Sequence, residues 1–183
     1  VDGGTPVGIG WLGNWADTGP TIDFPSAMTL PRTLALDGDT LLTPPIGAAE
    51  SLRVRMLDRT RLAIGQTVTL PNGAAEIAFD LLEAGSAVRI EFEHPEIRRA
   101  VAQHEEGLEI LHSYLDRPEE PPGPRYLAKA ANVRRLRIFI DYGSVEVFGD
   151  GGRVAGTTRI AGFEPVRAIR LIAEPGAVSN ATV

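Results

Sequence analysis

Cysteine is absent from the 183 residues of this chain. That excludes a disulfide framework, a thiol nucleophile and a thiolate metal site, and leaves the compartment open between secreted and cytoplasmic. Basic clustering is missing too. Lys and Arg total 18 against 24 acidic residues, for a formal net charge of −6. The one run of like charge, Arg134, Arg135 and Arg137, opens a strand-like stretch. Nucleic acid is therefore not an expected partner, because a phosphate footprint needs clustered cations on one face. No apolar run nears the roughly 20 residues of a membrane span, so no membrane helix is expected. Aromatic residues make up only 6% of the chain. The first residue is Val1 rather than Met, which reads as a processed or cut piece with any export signal already gone.

What is present is alternation. "AVRIEFEH" puts Val88, Ile90 and Phe92 on one side and Arg89, Glu91 and Glu93 on the other, the signature of a half-buried strand. "LRIFID" aligns Leu136, Ile138 and Ile140, "SVEVF" sets Glu146 between Val145 and Val147, and "IRLIAE" reads as a further strand. Turns separate these runs. "LDGD" (36–39) joins "TLAL" to "TLLT", and "EEG" (105–107), "DYGS" (141–144) and "GDGG" (149–152) act likewise, with Gly supplying positive φ. Nine or ten short strands at this spacing predict an all-β antiparallel sandwich of two sheets. Two stretches compete for helix: 46–57, and 95–103, which reads equally as a strand. "RPEEPPGPR" (117–125) is a Pro-rich surface loop. Residues 1–26 differ from the rest: one short apolar run, "VGIGWL", has no sequence-adjacent strand to pair with. They read as the tail of a neighbouring domain, an orphan strand whose exposed edge invites a partner from elsewhere. The sandwich then occupies 27–183.

Candidates for chemistry are few. His94, His104 and His112 lack metal-ligand spacing and any G-x-S-x-G companion, so each reads as structural and no metal site is expected. Asp141 and Glu146 flank one hairpin. Two facing carboxylates there would suit glycoside chemistry. The plainer reading has Asp141 starting a turn and Glu146 pairing with an Arg on a neighbouring strand. "GDGG" lacks the Lys-Ser/Thr and the helix of a phosphate cradle. Both tryptophans fall in "GWLGNW", residues 10–15. Trp is a large apolar plate with one polar edge. The pair either fills a domain interface, or one ring stacks on a sugar while Asn14 bonds hydroxyls.

Two stretches carry a family likeness. "GWLGNW…PTIDFPSAMTLPRTLAL" resembles the segment that closes the catalytic propeller of glycoside hydrolase family 32 and leads into its second domain. That family holds invertases, levanases and inulinases. Its pattern there is G-W-M-x-N-W, then P-T, then a small residue followed by A-M-[ST]-L-P-R-[ET]-L. "LRIFIDYGSVEVFGDGG" is similar to the family's late sandwich hairpin, and "LDRP" (115–118) to an earlier L-D-R. The matches keep the family's order. Departures are Phe24-Pro25 where Trp-Arg is common, Thr33 for Glu, and Tyr142-Gly143 for Arg-Ser.

The resemblance implies a C-terminal β-sandwich (27–183) behind the end of a five-bladed β-propeller catalytic domain (1–26). It implies a retaining fructosyl hydrolase as the parent, acting on a fructose-containing saccharide without a cofactor. The family's three acidic motifs, N-D-P-N-G, R-D-P and E-C, are all missing: "LPNG" (70–73) lacks the Asp, and "DRP" is not R-D-P. No catalytic residue is therefore expected in this chain. Trp11, Asn14 and Trp15 would stand at the wall of the sugar site. The expected partner is the N-terminal propeller of the same enzyme. Two rival readings are an autonomous lectin-like carbohydrate-binding module and an assembly module that forms a homodimer through a sheet edge.

Overall fold

The computed structural model describes residues 4–12, 27–53, 62–95, 97–114, 126–129, 132–159 and 164–183. Two antiparallel sheets face each other. One has five strands, β13 (Val154–Arg159), β12 (Ser144–Gly149), β11 (Arg135–Asp141), β6 (Ala75–Leu81) and β15 (Val178–Thr182), in that spatial order. The other has six: β10 (Tyr126–Ala128), β9 (Gly107–Tyr114), β8 (Ile97–His104), β7 (Val88–Glu93), β14 (Ala168–Ala173) and β5 (Thr67–Thr69). Alternation sets the faces. Ile77, Phe79, Leu136, Ile138, Val145 and Val147 point inward from the first sheet and are at most 2% exposed. Ile90, Val101, Leu108, Ile110, Ile169 and Leu171 meet them from the second.

The sandwich thus has eleven strands, six in one sheet and five in the other, against nine or ten expected. The additions include β5 and β10, edge strands of three residues each, too short to show a period. The stretch 95–103 resolves as strand, since β8 pairs with β7 on one side and β9 on the other. Of the helix expected over 46–57, Gly47–Leu52 forms a 3-10 turn and Arg53 is already extended; 54–61 lies outside the described residues, as does the Pro-rich loop. All four hairpin turns named from sequence connect strands.

Ahead of the sandwich lie two small ladders. β1 (Val7–Gly8) pairs antiparallel with β2 (Arg32–Thr33), and β3 (Ala35–Asp37) with β4 (Thr40–Leu42). The leader strand, expected to be an orphan, thus has one partner within the chain, β2. A two-residue ladder broken by Pro31 leaves no alternation to read.

Segment 27–53 is laid over the outer face of the five-stranded sheet by polar anchors. Thr43 N–H donates to Gly152 O at 2.9 Å, and Arg153 pairs with Asp37. Arg53 Nε donates to Glu76 Oε2 at 2.6 Å, and Arg137 Nε donates to Glu76 Oε1 at 2.5 Å. Burial alone pushes the Glu76 carboxyl up, but these two guanidiniums outweigh it and hold the group below its ordinary value. Asp80 is also held low, by Arg135 first and by Asn180. Carboxylates depressed by folding add stability above their unfolded range and lose it as pH falls through the folded value. The thermal midpoint should therefore drop between about pH 5 and pH 2, and Glu76→Gln should flatten part of that drop in a calorimetric pH series.

Gly152 has φ +87, and a Cβ there would run into the backbone at Thr43 and Pro44. Gly152→Ala combines left-handed strain with a clash that cannot yield. Denaturant unfolding should show a loss of at least about 2 kcal/mol.

Candidate functional site

The strand β12 is buried on both faces. Val145 and Val147 enter the core, while Glu146 and Phe148 on the opposite face are each only 2% exposed. Period two puts Glu146 outward, between Phe139 of β11 and Thr157 of β13. Segment 27–33 covers it there. Glu146 Oε1 accepts the Leu30 N–H at 2.6 Å, and Oε2 accepts Arg32 Nη2 at 2.6 Å and Thr157 Oγ1 at 3.3 Å. Arg32 Nη2 also donates to Thr157 Oγ1 at 2.5 Å. The Arg32 guanidinium carbon sits 4.8 Å from the centroid of Phe148, a cation–π contact in place of water. Removing one partner of so buried a pair costs about 3–5 kcal/mol, because the other charge is left uncompensated.

The plainer reading of Glu146 holds in kind, with a change of partner: its Arg comes from β2 and not from a neighbouring strand of the sheet. Asp141 Oδ1 accepts the N–H of Tyr142 at 2.7 Å and so serves its turn. The two carboxylates do not act as a pair. His94 Nε2 bonds Glu164 O at 2.7 Å, and His104 Nε2 lies 3.3 Å from Glu109 Oε2. The side chain of His112 lies outside the described residues. Among the described residues no cluster of His, Asp and Glu could hold a metal. A shallow hollow of about 370 Å³ is lined by Asp80, Leu81, Arg134, Arg135, Asp150 and Gly151. Its carboxylates are occupied: Asp150 Oδ1 caps the N–H groups of Arg134 and Arg135 at 2.9 Å each, and Asp80 holds Arg135 and Asn180.

Trp11 lies opposite Met28 in an isolated bridge, and the two are 53% and 57% exposed. The bridge is framed by Thr29 N–H to Gly10 O at 2.8 Å and Leu12 N–H to Ala27 O at 2.7 Å. Ile9 beside it is 54% exposed. Asn14 and Trp15 lie outside the described residues. Sequence reasoning missed Leu30, Arg32 and Thr157 as the holders of this segment. Arg32 stood in a quoted run, "LPRTL", but its partner is 114 positions away.

The profile described as Glycosyl hydrolases family 32 C terminal matches residues 50–183. The sucrose-6-phosphate hydrolase of Escherichia coli is 27% identical over 94% of this chain, and the levanase of Bacillus subtilis strain 168 is 25% identical over 93%. The chain spans 37% of the first and 28% of the second. Among solved structures, a family 32 glycoside hydrolase from Bifidobacterium adolescentis superposes with a TM-score of 0.74 at 20% identity, covering 99% of this chain and 29% of that one. A family 32 β-fructofuranosidase from Bombyx mori gives 0.71 at 19% identity, covering 95% and 36%. These two likenesses carry the fold. With its sandwich matched along most of its length, the chain belongs to glycosyl hydrolase family 32, as that family's C-terminal domain.

Proposed function

We propose that this chain is the C-terminal sandwich portion of a retaining fructosyl glycoside hydrolase acting on sucrose or a fructan. In this reading it braces an N-terminal catalytic propeller, residues 1–26 are the propeller's last strand, and the sandwich does no chemistry itself. The observation that carries this is where the apolar surface lies. Of ten large hydrophobic side chains exposed among the described residues, six fall within 4–53: Ile9, Trp11, Met28, Leu36, Leu41 and Leu52. The sandwich residues whose side chains are described contribute four, Ile64, Leu82, Tyr142 and Ile172. Exposed apolar side chains concentrated in one segment mark a place that another body covers. Relatives of which this chain spans 28–38% supply a candidate for that body, and their names give the substrate class: sucrose 6-phosphate and levan. Trp11, with Asn14 and Trp15, then walls the sugar site.

The rival lectin-like module needs an aromatic platform on the sandwich. Among the residues of the two sheets and their turns whose side chains are described, Tyr142 is the one large aromatic that is mostly exposed. Fructans titrated calorimetrically into the chain should give no binding heat.

Two assays test the proposal. The 183-residue chain incubated with sucrose, inulin and levan should release no fructose, and sustained release would sink the idea. Joined to a family N-terminal domain, the chain should yield an active enzyme in which Trp11→Ala raises KM about ten-fold, ~1.4 kcal/mol of lost sugar contact, with kcat little changed.

A further inference from the structure

We propose that Glu146 is a positioning residue: its buried carboxylate, held at the middle of β12, fixes the β1–β2 strand pair and through it the place of the Trp11 indole. Both oxygens are committed to segment 27–33, one to the Leu30 N–H and one to Arg32. Leu30 stands at the midpoint of that segment's ladder. On one side Arg32 and Thr33 pair with Gly8 and Val7. On the other, Thr29 N–H donates to Gly10 O and Met28 faces Trp11. The carboxylate therefore grips the strand between the two places where it carries the leader.

The grip has direction as well as strength. A charge-assisted bond to a main-chain N–H fixes where the backbone lies, and the Arg32 bond fixes its rotation. Thr157 on β13 and Phe148 on β12 hold the guanidinium in place from the sheet side. Leu34 N–H donates to Pro6 O at 2.9 Å and Leu12 N–H to Ala27 O at 2.7 Å, so the leader follows segment 27–34 along its length. A shift at Leu30 is carried two residues on to Met28 and across the bridge to Trp11. The value of this placement to catalysis rests on the proposed sugar-site reading; the placement itself does not.

The test uses the 183-residue chain and needs no sugar. Amide exchange followed by NMR is compared in wild type, Glu146→Ala and Ile77→Val. The last is a core change at a residue with 0% exposure on β6, and serves as a general destabilisation control. In Glu146→Ala the Leu12, Thr29 and Leu30 amides should exchange at least about ten-fold faster, while those of Ile90 and Leu171 in the other sheet change no more than in Ile77→Val. In a Trp15→Phe background, where Trp11 is the sole indole, the same variant should red-shift the tryptophan emission and Ile77→Val should not. If the alanine variant does not fold, Glu146→Gln, of equal size without the charge, should show the same selective pattern. Unchanged exchange at Leu12, Thr29 and Leu30 would overturn the proposal, as would faster exchange spread evenly over both sheets. A failed sugar-site reading would appear separately, as an unaltered KM in the Trp11→Ala enzyme.

Discussion

A carboxylate removed from water needs its full complement of donors. Glu146 finds them in a segment that precedes it by more than a hundred residues. That requirement organises the outer face of the five-stranded sheet. Segment 27–53 has little apolar burial of its own: Pro45 is its single buried residue. Its position is therefore set by polar anchors at Glu146, Gly152, Glu76 and Arg153. Dispersion is blunt about register, whereas a charge-assisted bond of 2.6 Å tolerates little displacement. The segment is held lightly in total energy and tightly in place.

The two sheets divide the labour. Their inner faces supply the apolar burial that keeps the domain folded, from Ile77 and Ile138 on one side to Ile90 and Leu171 on the other. The outer face of the five-stranded sheet is a seat, rich in ions of both signs: Glu76, Arg137 and Glu146, with Arg32 and Arg53 brought to it. What sits there is polar where it meets the sheet and apolar where it faces away, at Ile9, Met28, Leu36 and Leu41.

Much of the fold was legible because a half-buried strand advertises its period. "VRIEFE" and "LRIFID" alternate cleanly, and β7 and β11 bury the residues the pattern names. The three-residue edges β5 and β10 were not legible, nor was the β1–β2 ladder, since two or three residues hold no period. The site was half legible. Glu146 was singled out and given an Arg, but alternation says which face a side chain takes and not what covers that face. The partners are distant in the chain, and Leu30 contributes only a main-chain N–H that any residue except proline would offer. Trp11 drew notice through its rarity; its pairing with Met28 is a tertiary fact.

The turns at the two ends of β12 differ in a way that bears on handling the molecule. At Tyr142–Gly143 the chain reverses into open space, with nothing within 4 Å of where a Cβ on Gly143 would point. At Asp150–Gly152 the reversal is occupied, because Thr43 and Pro44 cross directly over it. The first can accept a side chain at Gly143 without displacing a neighbour. The second cannot take a side chain at Gly152 unless the crossing strap is lifted from the sheet.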